Sequence, residues 1–228
     1  VSYISLDSST SSTTVVVFDD DLNIQTKFQK EHQQIYPSKW FVEHDLEEIY
    51  NNLIQLMKKA ASISPEPQFI SMTNQRETFA LFDKFTGKPV RNAVVWQCTR
   101  GEKICDNILN NKEYSKLITQ KTGLKANTFF SASKLKWILE NEPNIKEGLL
   151  KGNILFGTID TYLLYRLTKC REYVTDTTNA SRTLLFNCID NSWDPKLFSI
   201  FDIEQFDLAE VRPSSSNFGS SNFEYSFS

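Results

Sequence analysis

Three strand-like segments precede the first helix-like segment, and this order limits the folds available to the chain more than any other feature. Residues Tyr3–Asp7 alternate in polarity, Thr14–Asp19 is a short apolar run, and Ile24–Ile35 is longer and more polar. Turn residues separate the last two segments, so the opening is predicted to be an antiparallel meander. A helix over Asp45–Ala61 follows, with Asp45 as its N-cap and apolar residues at helical spacing.

After this opening, short apolar runs alternate with helix-like segments. Strands are predicted at Phe69–Thr73, Thr78–Asp83, Ala93–Trp96 and Ile154–Phe156. Helices are predicted at roughly Thr99–Asn110, Tyr114–Thr122, Ser131–Asn141, Pro143–Lys151, Asp160–Leu167 and Pro195–Phe201. Strands first, and then strands that alternate with helices, favour an α/β or mixed α+β layered fold.

Composition narrows the class of protein further. With 228 residues, 40% of them hydrophobic and 23% charged, the chain is predicted to be globular and to bury a sizeable core. No apolar run approaches the roughly eighteen residues of a membrane span, and no basic segment ahead of an apolar run indicates a signal peptide. The net charge of −3, with Lys and Arg spread along the chain, argues against a nucleic-acid partner.

The usage of cysteine, histidine and glycine argues against several kinds of site. Four scattered cysteines without a CxxC pair and only two histidines argue against a zinc cluster, and they are typical of reduced thiols in a cytoplasmic protein. Only seven glycines occur, and neither GxxxxGK[ST] nor GxGxxG is present. Phosphate-binding loops of the Walker and Rossmann types are therefore excluded.

The connection between the first two predicted strands is one candidate site. It places the carboxylate of Asp7 ahead of seven consecutive hydroxyl residues, Ser8–Thr14. The backbone N–H groups and hydroxyls of a tight turn can bind an anion, and the carboxylate can hold a hydrated magnesium ion. A polar hairpin tip without a ligand is the alternative, because hydroxyl-rich turns are common.

A second candidate lies at the end of the predicted Phe69–Thr73 strand. Arg76 and Glu77 follow this strand, and together they can bind a polyol, because Arg donates hydrogen bonds to hydroxyls and Glu accepts hydrogen bonds from them. Ligand sites of α/β proteins lie at such strand ends. A solvent-exposed ion pair is the alternative. Trp96, also at a strand end, can form an apolar wall of the site or be a core residue.

Taken in order, these and further segments resemble the glycerol kinase branch of the FGGY carbohydrate kinase family. The segments that carry the resemblance are Asp7–Thr14, Val42–Asp45, Thr73–Thr78, Thr86–Pro89, Asn92–Cys98, Lys136–Leu139, Phe156–Thr161 and Thr178–Thr183. They extend over nearly the whole chain, from about Tyr3 to Phe223. The motifs TNQRET, VVWQC and TNASRT are together specific to the glycerol branch.

The resemblance implies a fold and a reaction. The fold would be α/β, a ribonuclease H-like (actin-like ATPase) domain with a mixed sheet flanked by helices. The reaction would be in-line transfer of the γ-phosphoryl group of ATP, with Mg²⁺, to a terminal hydroxyl of glycerol. Glycerol and ATP are therefore the expected partners, and members of the family commonly form homo-oligomers.

The resemblance also implies a domain organisation. Residues 1–228 would be the N-terminal FGGY domain, with a core of about 3–212 and an unfinished or flexible tail at 213–228. The second FGGY domain would carry a Gly-Asp-Gln motif with the general base, and this motif does not occur in the chain. No catalytic residue is therefore assigned, and this half by itself is expected to be inactive.

The resemblance assigns binding residues one by one. Arg76 and Glu77 would bind the glycerol hydroxyls and Trp96 would pack against the glycerol carbons, while Phe129 stands where the family has a glycerol-contacting Tyr. The residues that would face ATP and magnesium are Asp7, Ser9, Thr10, Ser11, Thr13 and Thr14. Among them Asp7 is the carboxylate that would face the metal ion.

Several positions depart from the family pattern. In the first loop Ser8 stands for a Gln, Ser9 for a Gly and Thr14 for an Arg. Residues that stand where members usually have Gly are also Trp40, Ser71 and Ala132. Two alternatives therefore stay open: a non-catalytic truncated paralogue that acts as a binding domain, or an FGGY kinase for another polyol whose pocket is reshaped by Phe129.

Overall fold

Two main β-sheets form the framework of the computed structural model, which describes residues 1–221. In chain order its strands are β1 (Tyr3–Ser8), β2 (Ser12–Phe18), β3 (Ile24–Glu31), β4 (Gln34–Ile35), β5 (Glu43–His44), β6 (Phe69–Asn74), β7 (Phe79–Asp83), β8 (Ala93–Val94), β9 (Ile154–Thr158), β10 (Val174–Asp176), β11 (Phe186–Asn187), β12 (Ser192–Trp193) and β13 (Glu210–Arg212). The four-stranded sheet has the order β3-β2-β1-β6, with β1 parallel to β6 and the other neighbours antiparallel. The five-stranded sheet, β4-β5-β8-β7-β9, is antiparallel.

Helices cover both sheets. In chain order they are α1 (Leu46–Ala61), α2 (Glu102–Asn110), α3 (Lys112–Thr122), α4 (Ser131–Asn141), α5 (Pro143–Leu150), α6 (Ile159–Leu167), α7 (Thr177–Ala180) and α8 (Pro195–Ile200). Because α1 packs on β2 and α6 packs on β6, β7 and β9, the mixed sheet flanked by helices is confirmed. No helix within residues 1–221 combines the length and the apolar character that crossing a lipid bilayer requires.

The predicted antiparallel meander is confirmed, but its third strand is shorter than predicted. The prediction of one strand over Ile24–Ile35 is wrong, since β3 ends at Glu31 and β4 belongs to the other sheet. The chain leaves the meander at His32, whose ring is buried and whose Nε2 lies 3.0 Å from the Thr10 carbonyl oxygen. This contact joins distant segments, so a local polarity pattern does not reveal it.

Helix α1 is anchored by its cap and by one apolar face. The Asp45 carboxylate accepts from the N–H groups of Glu47 and Glu48, at 2.8 and 3.3 Å, so the predicted N-cap is confirmed. The Glu48 carboxylate accepts from the Gln33 N–H at 3.2 Å. The apolar residues that this helix buries are Leu46, Ile49, Leu53, Leu56, Met57 and Ala60. They pack with the inner face of the four-stranded sheet in one hydrophobic core.

Strand β7 separates two hydrophobic cores. Its residues alternate between them, with Phe79 and Leu81 in one core and Ala80 and Phe82 in the other. The first core includes apolar residues of α4 and α8, and the second includes those of α1, α6 and the four-stranded sheet. Because both faces are covered, β7 is a continuous apolar run in the sequence instead of an alternating one.

The end of the described chain lies against the rest of the domain. Ser214 Oγ donates to the Asp176 carboxylate at 2.5 Å, and Arg171 donates to the Ser220 carbonyl oxygen at 3.3 Å. The predicted tail at 213–228 thus begins as a hydrogen-bonded segment, while 222–228 lie outside the described residues.

Candidate functional site at the end of two parallel strands

The candidate site lies where β1 and β6 end side by side. Their parallel register places Ser8 opposite Asn74, so the segments that follow both strands leave the sheet at the same edge. The Gln75 N–H donates to the Ser8 carbonyl oxygen at 3.0 Å, which joins the two segments directly. The structure therefore brings the hydroxyl-rich connection and the Arg76 segment, predicted as separate candidates, together.

The hydroxyl hairpin, residues 9–12, is a tight turn. The Ser9 N–H and Oγ–H both donate to the Ser12 carbonyl oxygen at 2.9 Å. Ser9 is not among the residues with a positive φ, so the turn forms without a glycine at this position. The backbone N–H groups of Thr10 and Ser11 donate to no other residue within 1–221. Neighbouring N–H groups at a turn can bind an anion.

Asp7 and Thr13 lie on opposite faces of the four-stranded sheet. Asp7 and Thr14 are paired on the outer face, and Thr73 of β6 lies beside Asp7. Thr13 is fully buried on the inner face, where its hydroxyl finds no partner among the described residues. Thr13 is the neighbour of Thr14 in β2, and adjacent residues of a strand point to opposite sides of the sheet. The structure therefore does not bring the Thr13 side chain to Asp7. Burial raises the pKa of Asp7, and the charge of Lys27 opposes this rise.

Arg76 and Glu77 have different surroundings. Arg76 is exposed, and its guanidinium has no hydrogen-bond or ion-pair partner in the described part of the chain. Glu77 Oε1 accepts from Arg182 Nε at 2.8 Å, and both side chains are largely buried. Arg182 also lies over the Phe130 ring, 4.8 Å from its centroid. One oxygen of an oriented carboxylate and one unoccupied guanidinium thus remain for a ligand.

Two aromatic rings form an apolar wall beside these charges. The rings of Trp96 and Phe129 meet edge to face with centroids 5.6 Å apart, and Phe129 is 50% exposed. The backbone N–H of Trp96 donates to Thr78 Oγ1 at 3.2 Å, which connects the wall to the segment that carries Glu77. The structure therefore brings both predicted aromatic residues to the candidate site.

A buried lysine supports the aromatic wall. Lys134 is fully buried, and its Nζ donates to three successive carbonyl oxygens, those of Thr128, Phe129 and Phe130. Burial lowers the pKa of Lys134 to about 7. Neither Lys134 nor Arg182 was predicted to be part of the site. The only signal for Arg182 was its place in the TNASRT segment.

Two buried histidines lie beneath the hydroxyl hairpin. The rings of His32 and His44 pack edge to face with centroids 4.8 Å apart. His32 Nε2 lies 3.0 Å from the Thr10 carbonyl oxygen, and His44 Nδ1 lies 3.3 Å from Gln75 Nε2. Burial lowers the pKa of His32, and it lowers that of His44 to about 3 with a further contribution from His32. Both rings are therefore neutral at pH 7.

We expect acidification to destabilise the fold through His44. Its pKa is about 3 when folded and about 6.5 when unfolded, so below about pH 6.5 the unfolded chain binds a proton that the folded chain does not. The stabilisation that comes from keeping His44 neutral is fully present above about pH 6.5. As the pH falls below this value, the free energy of unfolding decreases by about 1.4 kcal/mol per pH unit. Urea unfolding between about pH 7 and 5 measures this slope.

The variant His44→Asn is the comparison for this slope. It keeps a polar side chain opposite Gln75 but has no proton to gain, so its stability should fall less steeply with acid. Asp160, whose pKa burial raises to about 6, is present in both chains and cancels in the difference. Equal slopes for the two chains would show that the charge of His44 does not destabilise the fold.

The donor set around Asp7 suits a metal ion only in a hydrated form. Within residues 1–221, His, Cys, Asp and Glu side chains form no cluster of three or more that could hold a metal ion. Asp7 is one half-buried carboxylate beside the hydroxyl residues Thr14 and Thr73. Mg²⁺ is commonly held by one or two carboxylates together with waters and substrate phosphates, which this arrangement fits.

Comparisons with known proteins show the family of the chain. The family model described as "FGGY family of carbohydrate kinases, N-terminal domain" matches residues 2–227. "Glycerol kinase 2" of Thermotoga maritima and "Glycerol kinase" of Shewanella pealeana are each 46% identical over 220 residues. These matches cover 95% of this chain and 44% of each relative. The chain thus spans less than half the length of these relatives.

Solved structures have the same fold. The crystal structure of Plasmodium falciparum glycerol kinase with ADP superposes with a TM-score of 0.92 at 38% identity, and it covers 97% of this chain and 45% of that one. A gluconate kinase of Lactobacillus acidophilus superposes with a TM-score of 0.86 at 21% identity, over 98% of this chain and 44% of that one, which shows the fold alone. The family match extends over almost every residue, and the Plasmodium falciparum structure superposes over nearly the whole chain. The chain therefore belongs to the FGGY family of carbohydrate kinases and corresponds to their N-terminal domain.

Proposed function

We propose that the chain forms the polyol-binding and phosphate-facing part of a kinase that transfers the γ-phosphoryl group of ATP to glycerol. The observation that carries this proposal is the guanidinium of Arg76, which has no partner within residues 1–221, followed in the chain by the oriented carboxylate of Glu77. Both residues lie in the segment that is hydrogen-bonded to the end of β1 ahead of the hydroxyl hairpin. Glycerol kinases 46% identical to the chain support the choice of substrate.

The polyol part of the site would act by position. Arg76 would donate to one glycerol hydroxyl, and the free oxygen of Glu77 would accept from another. Trp96 and Phe129 would cover the carbon atoms and exclude water from that side. Arg182 would keep the Glu77 carboxylate oriented, so that ligand binding does not have to order it.

The phosphate part of the site would be the hydroxyl hairpin and Asp7. The N–H groups of Thr10 and Ser11, which have no acceptor within residues 1–221, would face the phosphates of ATP together with the nearby hydroxyls of Ser9 and Thr14. Asp7 would hold a hydrated Mg²⁺, which when bound neutralises phosphate charge during transfer. Thr13 would act only by packing beneath the hairpin, because its hydroxyl is buried.

Removal of the Arg76 side chain tests this proposal. In the full-length natural protein, Arg76→Ala is expected to weaken glycerol binding about 10- to 150-fold, which corresponds to the loss of a charge-assisted hydrogen bond of about 1.5–3 kcal/mol. Isothermal titration with glycerol measures the affinity. Arg171→Ala is the matched control, since Arg171 contacts the carbonyl oxygens of residues 168 and 220 and no residue of the site. Equal losses in both variants, or no glycerol binding in the unaltered protein, would contradict the proposal.

A kinase for a longer polyol is the second candidate function. Phe129 favours it, because a half-exposed ring without a hydroxyl offers apolar contact where a tyrosine would offer a hydrogen bond. The same titration with four- and five-carbon polyols decides between them. Tighter binding of a longer polyol than of glycerol would replace glycerol as the proposed substrate.

A further inference from the structure

Thr10, at the tip of the hydroxyl hairpin, is held from two sides. Trp96 Nε1–H donates to Thr10 Oγ1 at 3.0 Å, so the indole that forms the polyol wall also bonds the phosphate-facing turn. The Thr10 carbonyl oxygen lies 3.0 Å from His32 Nε2 on its other side. Trp96 thus holds the side chain of Thr10 and His32 holds its backbone, and Trp96 is also a proposed contact of the polyol.

A second connection runs through the buried side chains of Gln75 and Thr78. Gln75 Nε2 donates to the Ser9 carbonyl oxygen at 3.3 Å, and Gln75 Oε1 accepts from Thr78 Oγ1 at 2.7 Å. Thr78 Oγ1 in turn accepts from the backbone N–H of Trp96 at 3.2 Å. Hydrogen bonds therefore link the hairpin, the Arg76 segment and Trp96 in a closed ring of protein groups.

We propose that Trp96 is a positioning residue that couples polyol binding to nucleotide binding through Thr10. This inference rests on the proposed function of the site. A polyol that packs on the Trp96 ring restricts the indole, and the indole N–H then holds the Thr10 hydroxyl and the adjoining N–H groups in one arrangement. A nucleotide whose phosphates bind that arrangement meets a hairpin that is already ordered, and coupling of this kind is reciprocal.

Glycerol titrations with and without saturating Mg·ADP test the coupling in the full-length natural protein. The ratio of the two glycerol dissociation constants is the coupling factor, and a factor of about 5 to 150 is the usual range for coupled sites. Trp96→Phe keeps an aromatic wall but loses the donor, and Thr10→Val loses the acceptor. Each is expected to bring the factor close to 1, and the double variant to change it no further.

Two controls separate coupling from a merely structural effect. Thr10→Ser keeps the hydroxyl and should keep the coupling factor. Phe129→Leu alters the wall without touching Thr10, so it should weaken glycerol binding and leave the factor unchanged. Retention of the factor in Trp96→Phe and Thr10→Val would overturn the inference, as would a factor of 1 in the unaltered protein. Failure of the unaltered protein to bind glycerol would instead contradict the proposed function.

Discussion

Replacement of Glu43 by glutamine is expected to lower the free energy of unfolding by about 3–5 kcal/mol, the usual cost of breaking a buried ion pair. Glu43 Oε1 accepts from the guanidinium groups of Arg91 and Arg100, both at 2.6 Å. The side chains of Glu43 and Arg91 are largely buried, and that of Arg100 is only 1% exposed. The amide leaves the guanidinium of Arg100 without a carboxylate partner, and Arg91 keeps only its pair with Glu142.

Urea unfolding of the unaltered chain and of Glu43→Gln measures this loss. Glu142→Gln is the matched control, since Glu142 pairs only with Arg91 among residues 1–221, at 2.5 Å, and its side chain is 34% exposed. Solvent screening reduces that interaction, so the control should lose about 1 kcal/mol or less. A similar small loss in both variants would show that Arg100 is satisfied by its other contacts, the Cys98 sulfur and the Phe41 ring.

Residues 1–228, assayed alone, are expected to give no measurable transfer of phosphate from ATP to glycerol. The resemblance assigns the general base to a Gly-Asp-Gln motif that these residues do not contain. Loss of a general base alone typically lowers a rate by about 10²–10⁴-fold. The candidate site is also open on the side of Arg76 and Phe129, and without a second wall no closure would exclude water from the phosphates.

Release of ADP in the presence of glycerol measures this transfer. The variant Arg76→Ala of the same 228 residues is the control for a contaminating kinase, because a contaminant is insensitive to that substitution. Turnover that is present in the unaltered residues and lost in the variant would contradict the expectation. Glycerol binding without turnover would agree both with the kinase proposal and with a non-catalytic paralogue that keeps a binding domain, and the activity of the full-length natural protein separates the two.

Elements with strong local signals were predicted well. Helix α4 has the predicted bounds, and α1 begins directly after the predicted cap, Asp45. Capping and the spacing of apolar residues act within a few residues, so the sequence shows them directly. Strands β10 and β13 were not predicted, because each has three residues and forms only by pairing with the other, across a large separation in sequence.

The candidate site was predicted only in part, because some of its residues have local signals and others depend on contacts between distant segments. Arg76, Glu77 and Trp96 were selected because their side chains suit a polyol and follow predicted strands. Their supports, Lys134 of α4 and Arg182 of the turn after α7, are charged residues, for which exposure to solvent is the usual expectation. Only folding places Arg182 against Glu77 and buries the Lys134 ammonium among three carbonyl oxygens.

The sequence by itself determined the order of the longer strands and helices, the hydroxyl hairpin and the residue types that suit a polyol and a phosphate. Each of these depends on neighbours in the chain, through polarity patterns, caps and turns. The tertiary structure alone decided that Thr13 faces the core while Asp7 faces out, that His32 ends β3, and that Trp96 bonds Thr10. These outcomes depend on pleat, burial and contacts between segments far apart in the chain, which only the packed sheets and helices specify.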